Sequence, residues 1–352
     1  INLKPFIFSF KPYHGNKSNN FLQIELKEWD FENVYYSNNH REEIQIDELI
    51  HFIWSNKIKK LIIIEATFEP IFKMMSFLKL LKIELYIVVN IECIKISEIS
   101  NHLLFDKIFT NNYNSYHIMN NLIPDKCHYL GFHLEHDVFK LPIKSKKNDN
   151  FLNFVCVGGL NSISRKNIDK LLHVFLEIIQ ENNIDFINLN VYIQGVEIPP
   201  LLNDIKHELI KININNYSYQ DNLNNIKKND IYIHLGGQEG LGLGFYEALY
   251  LGLPILTLDW SPNNELIFHS KNGWLVNCVG NKVHENNECI IKRGIFEMND
   301  LKNTLLDIIE NMNDTINIIN YSIHNSKKLK IKNKKEFNTI LKYHLSTTPS
   351  FY

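Results

Sequence analysis

The chain has 352 residues, 45% of them hydrophobic and 22% charged, with 37 Lys+Arg against 39 Asp+Glu. That apolar fraction excludes a wholly disordered chain, and at roughly 150 residues per domain the length implies about two domains. A formal net charge of −2 excludes a strongly basic nucleic-acid binder.

No apolar run reaches the about 20 residues that a membrane-spanning helix needs. The stretch from Ala248 to Leu258 is broken by Gly252 and Pro254, and Leu61–Ile64 is only strand length. The start, Ile1-Asn2-Leu3-Lys4, has neither an initiator Met nor a signal-peptide pattern, as expected of a trimmed chain or one part of a longer protein. The five cysteines, Cys93, Cys127, Cys156, Cys278 and Cys289, are scattered and form no C-x-x-C pair. A reduced, cytoplasmic protein is expected.

In chain order, Pro5–Phe10 reads as a strand and Lys11 to Asn20 as a polar loop. Leu61–Ile64 reads as a buried strand ended by Glu65. Leu85–Val89, ended by Asn90, and Lys107–Thr110 follow as further strands. Continuous apolar strands separated by helix-length segments imply a parallel sheet covered on both faces. The segment from Lys140 to Asn150, KLPIKSKKNDN, is polar and basic and reads as a linker.

The same rhythm then restarts. Phe151–Val157 reads as a strand, Gly158-Gly159 as a turn, and Asn167 to Gln180 as a helix with Ile168, Leu171, Leu172, Phe175 and Ile179 at helical spacing. Leu189–Ile193, Ile231–Leu235 and Pro254–Leu258 are further strands. Leu301 to Met312 is an amphipathic helix, and Lys327 to Leu345 is basic and partly helical. The expected fold class is α/β, with two Rossmann-like, doubly wound parallel-sheet domains. Their expected boundaries are 1–140 and 151–326, joined by a linker at 141–150 and followed by a helical tail at 327–352 that could return to the first domain.

The densest chemical signal runs from His234 to Leu249, HLGGQEGLGLGFYEAL. A strand enters a Gly-rich turn and then a helix. Helix N-termini expose unpaired N–H groups and partial positive charge, and glycines let the backbone approach an anion. Two carboxylates flank the turn, Glu239 and Glu247. Acids beside a phosphate cradle make sense if they bind hydroxyls while amides bind phosphate, as a nucleotide sugar would require. The alternative is a tight strand-to-helix turn with one exposed and one capping Glu. The glycines at 240, 242 and 244 do not form the dinucleotide pattern G-x-G-x-x-G.

A second signal is the run from Val157 to Asn167, VGGLNSISRKN. Here Arg165 and Lys166 are adjacent cations at a loop–helix junction. A departing diphosphate needs compensating charge, which two fixed cations supply. The alternative is a pair of solvated surface cations. Other constellations carry less. His133 and His136 lack a third metal ligand at matching spacing. There is no Asp-x-Asp, no G-x-x-x-x-G-K-[ST] and no G-x-S-x-G. The basic tail, with Lys327, Lys328, Lys330, Lys332, Lys334 and Lys335, is read either as a solvated helix face or as a contact for anionic membrane or acceptor.

The segment from Glu239 to Pro254, EGLGLGFYEALYLGLP, resembles the E-x(7)-E signature of retaining GT-B glycosyltransferases of the large group 1 (family 4-like) family. The similarity extends to Phe154–Gly158 with Arg165-Lys166-Asn167, to Asp230–Ile233, to Asn263-Asn264-Glu265 and to Asn272–Val276. It is strong over about 151–280. In the N-terminal half, Leu130-Gly131-Phe132 to Asp137-Val138-Phe139 is similar to the end of the acceptor domain.

This resemblance implies a GT-B fold and transfer of a sugar from a nucleoside-diphosphate sugar to a glycan, lipid or protein acceptor, with retention and with no metal or other cofactor. It implies that Glu239 lies by the donor sugar hydroxyls and that Glu247 holds the ribose. The amides of Leu241, Gly242 and Leu243 and the turn at Gly158 and Gly159 would face the diphosphate, with Arg165 and Lys166 neutralising it. Asn264 and Glu265 would line the sugar end. In the first N-terminal loop only Gly15 fits the family's glycines, and at the strand end Asn90-Ile91-Glu92 no His stands where the family often has one. Those two departures favour the alternative, a GT-B protein that holds a nucleotide or glycan without catalysis.

Overall fold

The computed structural model describes residues 7–11, 33–40, 46–64, 69–140, 147–159, 163–195, 202, 205–282 and 289–346. The chain divides into two compact units, one of Ile1–Phe109 with Met119–His128 and one of Thr110–Ile118 with Tyr129–Tyr352. Both are α/β.

In the first unit, β1 (Ile7–Lys11) pairs in parallel with β2 (Val34–His40). A separate sheet has the order β3 (Lys60–Ile64), β4 (Glu84–Val89), β5 (Lys107–Thr110) and β6 (Cys127–Tyr129). β3 and β4 are parallel, with Leu61 opposite Leu85. β4 is buried along most of its length, as its unbroken apolar run requires. β3 is not. Ile62 is 37% and Ile64 69% exposed, because β3 is an edge strand covered on one side only. The buried strand expected at Leu61–Ile64 is therefore corrected to a half-open edge. The polar loop expected at Lys11 to Asn20, beyond Lys11 itself, lies outside the described residues.

The second unit is built on six strands. These are β7 (Leu152–Gly159), β8 (Ile187–Gln194), β9 (Ile210–Asn215), β10 (Ile231–His234), β11 (Ile255–Leu258) and β12 (Gly273–Val276). Their spatial order is β12-β11-β10-β7-β8-β9, and every pairing is parallel. The chain thus starts mid-sheet at β7, winds outward through β8 and β9, and restarts on the other side at β10. A hairpin of β13 (Gly280–Lys282) and β14 (Arg293–Ile295) follows.

Residues of β7 alternate between two cores. Leu152, Phe154 and Cys156 pack with the helices Ile168–Asn182 and Met298–Glu310, whereas Val155 packs with Tyr232 and the helix Leu243–Tyr250. Burial on both faces explains why the central strands β7, β10 and β11 read as largely apolar, whereas β8 (INLNVYIQ) and the edge strand β9 (IKININ) alternate. The basic tail is one helix, Met312–Ser346. Lys330 donates to the Phe139 carbonyl and Lys334 to Glu135, so part of its charge is spent on its own unit. Among the described residues no helix is long and apolar enough to cross a membrane.

One residue ties the two central strands together ahead of the site. Asn167 has a left-handed backbone (φ 51°) and its Nδ2 donates to the Leu235 carbonyl at 2.7 Å. Asn tolerates that conformation better than residues without a short polar side chain. Asn167→Ala is expected to lower stability by about 2 kcal/mol, since it adds backbone strain and leaves a buried carbonyl unpaired. Urea unfolding measures it, with an unchanged m-value showing that the change lies in the folded state.

Candidate functional site

Two turns leave the sheet side by side. β7 ends at Gly158-Gly159, and residues 163–167 turn into the helix Ile168–Asn182. β10 ends at His234, and residues 235–242 lead into the helix Leu243–Tyr250. β7 and β10 are direct neighbours, with Cys156 opposite Ile233. Strand order reverses between them, and an open α/β sheet forms its ligand crevice at such a point.

Arg165 joins the turns. Its Nη1 lies 2.8 Å from Glu239 Oε1 and 3.3 Å from the Gln238 carbonyl. His234 Nε2 approaches the same carboxylate oxygen at 2.9 Å. Gly236 makes room for this cluster, since a Cβ there would lie 2.5 Å from Glu239 Oε1 and 2.8 Å from His234 Nε2. Gly242 starts the helix with φ +67°, a conformation suited to glycine.

The electrostatics follow from burial and pairing. Glu239 is 7% exposed, yet its pKa is held down to about 2. Burial alone would raise it, and the contacts with His234 and Arg165, aided by Lys166, overcome that. His234 is shifted below its ordinary value because burial outweighs the pull of Glu239. The ring is neutral and donates from Nε2, while Nδ1 is buried without a hydrogen-bond partner among the described residues. A second proton, on Nδ1, would be an orphan donor.

Lys166 Nζ donates to the Val157 carbonyl at 3.0 Å, and its charge is felt at both Glu239 and Glu247. Glu247 is 6% exposed and its pKa is raised by burial, against the influence of the Tyr219 hydroxyl and the charge of Lys166. The two glutamates therefore differ. One is firmly ionised, and the other is driven toward its neutral form.

The frame around them is hydrogen-bonded. Thr257 donates to the His234 carbonyl, and Asn263 donates to the Gly236 carbonyl at 2.9 Å. Arg293 Nη2 donates to the Ser164 carbonyl at 3.0 Å, and the Gly294 amide donates to the Gly237 carbonyl at 2.8 Å. The β13–β14 hairpin thus braces both turns. Asn112 donates to the Gly240 carbonyl.

The fold brings together Arg165, Lys166, Glu239, Glu247, Gly158, Gly159 and the start of the helix at Leu241, Gly242 and Leu243. It commits Glu265 elsewhere. That carboxylate accepts from the amides of Tyr113 and Asn114, each at 2.8 Å, and from the Ser261 hydroxyl. Asn264 donates to Asp259 on the surface. Gly15 lies outside the described residues. His133 bonds Glu135 and the Tyr250 hydroxyl, and among the described residues no group of three or more His, Cys, Asp or Glu could hold a metal ion. All five cysteines are free thiols.

Sequence reasoning missed His234 and Arg293. A single His at the end of an apolar strand carries no signal of its contact. Arg293 stands more than 120 residues from the turn it braces.

Residues 137–291 match the family described as Glycosyl transferases group 1. That segment is similar to the group 1 glycosyl transferases. It holds both turns, both glutamates and both cations. Solved structures show the fold to be GT-B, as expected. HepE of Anabaena, in complex with UDP-glucose, is 10% identical with a TM-score of 0.69, over 97% of this chain and 99% of that one. A GtfA/B complex is 14% identical with a TM-score of 0.59, over 86% of this chain and 61% of that one. The pneumococcal O-GlcNAc transferase GtfA, in complex with UDP and GlcNAc, is 16% identical with a TM-score of 0.56, over 83% of this chain and 60% of that one. The chain thus spans about the whole of HepE but under two thirds of the other two. No curated protein matches the sequence.

His234→Phe tests the buried contact. Its loss removes a hydrogen bond to a carboxylate and should cost about 1–3 kcal/mol at pH 7. A His with a lowered folded pKa contributes stability that is present above its ordinary value of 6.5 and lost as pH falls through the folded value. The fall in Tm between pH 6.5 and 5 should accordingly be shallower in the variant than in the parent. Thermal melts across that range measure both effects.

Proposed function

We propose that the chain is a retaining glycosyltransferase that moves a sugar from a nucleoside-diphosphate donor to a glycan, lipid or protein acceptor. The observation that carries this reading is the Arg165–Glu239 contact across the two turns of the group 1 segment. A cation and a carboxylate in contact across adjacent turns support a site for a donor that carries both phosphate and hydroxyls. HepE and GtfA were solved with UDP and a sugar or with UDP-glucose, which makes UDP-sugars the first donors to try.

In this reading the diphosphate lies against the start of the helix Leu243–Tyr250, since a helix N-terminus offers unpaired amides to an anion. Arg165 and Lys166 meet the charge that grows on the leaving diphosphate as the glycosidic bond breaks. Arg165 can serve Glu239 and a phosphate together, because a guanidinium has five donors and this side chain is 43% exposed. Glu239 uses Oε1 for His234 and Arg165, which leaves Oε2 to accept from a sugar hydroxyl. Glu247 receives the ribose hydroxyls. No step in this scheme requires a metal, so the rate should survive EDTA.

Removing one electrostatic stabiliser typically slows turnover on the order of 100-fold, the effect expected of Arg165→Ala and Lys166→Ala, each of which should slow turnover far more than it unfolds the protein. Ribose hydroxyls are the same in ground and transition states, so Glu247→Gln should mainly raise the donor KM. Charge changes at the sugar, so Glu239→Gln should mainly lower kcat. Donor hydrolysis and transfer kinetics measure these values. The reverse pattern, or parental activity in both glutamine variants, would reject the assignment.

The second reading is a nucleotide-binding GT-B protein without catalysis. It is favoured by the strand end Asn90-Ile91-Glu92, which carries no His. Binding of a UDP-sugar without hydrolysis or transfer to any acceptor in a broad panel would select it.

A further inference from the structure

The unit of Thr110–Ile118 with Tyr129–Tyr352 contains a second concavity, a cavity of about 490 Å³. That volume suits a small organic ligand. One wall is the long C-terminal helix, through Tyr321, Ser322, Leu329 and Phe337. Another is formed by Tyr113 and Tyr129, whose rings stack at 4.1 Å and 11°. Tyr246 and Leu249 close it from the helix that carries Glu247, but Glu247 itself is not part of the lining.

Three properties restrict what fits. First, the walls are rich in flat rings, and three of them, Tyr113, Phe268 and Tyr321, are substantially exposed. Secondly, the charges balance. Lys271 and Lys332 stand against Glu265 and Glu336. Glu265 is already taken up by two amides and a hydroxyl, Lys332 faces Glu336 at 3.9 Å, and Lys271 lies about 6 Å from the Phe268 and Tyr321 ring centroids. With no excess of either sign, the cavity has no basis for holding a phosphate or another anion. Thirdly, Ser322 is one of the lining residues, is 4% exposed, and its buried Oγ has no hydrogen-bond partner among the described residues. A buried hydroxyl left unpaired is costly, and a wholly apolar ligand would leave it so.

A neutral ligand with hydroxyls on its edge and C–H groups on its face meets all three conditions. We propose that this cavity binds a neutral saccharide, at a site separate from the nucleotide crevice. The sugar's face packs on the aromatic rings, and one of its hydroxyls pairs with Ser322 Oγ. Such binding follows from the cavity's own walls and does not require that the protein transfer sugars.

Saturation-transfer NMR on the full chain tests it, with maltotriose, cellotriose, chitotriose and mannotriose as probes at millimolar concentration. At least one should give transfer signals that titrate and persist when UDP is added. Tyr321→Ala and Phe268→Ala change exposed side chains, so both should melt near the parent temperature. Loss of one aromatic face, or of the hydroxyl in Ser322→Ala, should weaken binding by about three- to tenfold. Absence of binding by all four probes, equal binding in all three variants, or displacement of the saccharide by UDP would overturn the proposal.

Discussion

The contact between Arg165 and Glu239 is the constraint on which the site depends. It joins the turn after β7 to the turn after β10, at the place where the order of strands reverses. A carboxylate as buried as Glu239 is unfavourable alone, since the interior disfavours its charge. Two partners on one oxygen resolve that conflict, and Gly236 leaves the space in which they meet. Asn167, Asn263 and Arg293 then hold the surrounding carbonyls, so neither turn can shift without breaking bonds to the other.

Burial gives the two glutamates opposite characters. Glu239 is compensated by a guanidinium and an imidazole N–H, and it stays ionised. Glu247 has only the Tyr219 hydroxyl and the charge of Lys166 to offset its burial, and its pKa rises. Two acids eight residues apart thus meet a ligand in different ways, one as a charge and the other as a buried polar group whose partner the ligand can become. The same helix, Leu243–Tyr250, turns Tyr246 and Leu249 toward the aromatic cavity. It therefore has a different chemistry on each side.

Much of this is legible in the order of residues. The strands β4, β7, β10 and β11 announce themselves as largely apolar runs, because burial on both faces removes most of the polar alternation, whereas β8, INLNVYIQ, alternates and buries one face more deeply than the other. The helix Ile168–Asn182 is visible through its spacing of apolar residues. Less of the edges can be read. β3 has the same kind of run as β4, yet it lies at the border of its sheet with Ile64 largely exposed. β2, β9, β13 and β14 are too polar or too short to stand out. The charge of the tail reads as a surface feature, but Lys330 and Lys334 are used within their own unit.

The parallel α/β class, the two Gly-rich turns, and the identity of the acids and cations beside them can be read from the order of residues alone. These are local properties, encoded by runs of neighbouring residues and by short spacings. Which of those groups touch follows from the way the chain folds. The strand order that sets β7 beside β10 brings Arg165 to Glu239 across 74 positions and Arg293 to Ser164 across 129. It also withdrew Glu265, whose carboxylate answers amides at Tyr113 and Asn114 some 150 positions away. Such pairings depend on how strands cross over and on which polar groups burial leaves in need of a partner. Neither is a function of separation along the chain.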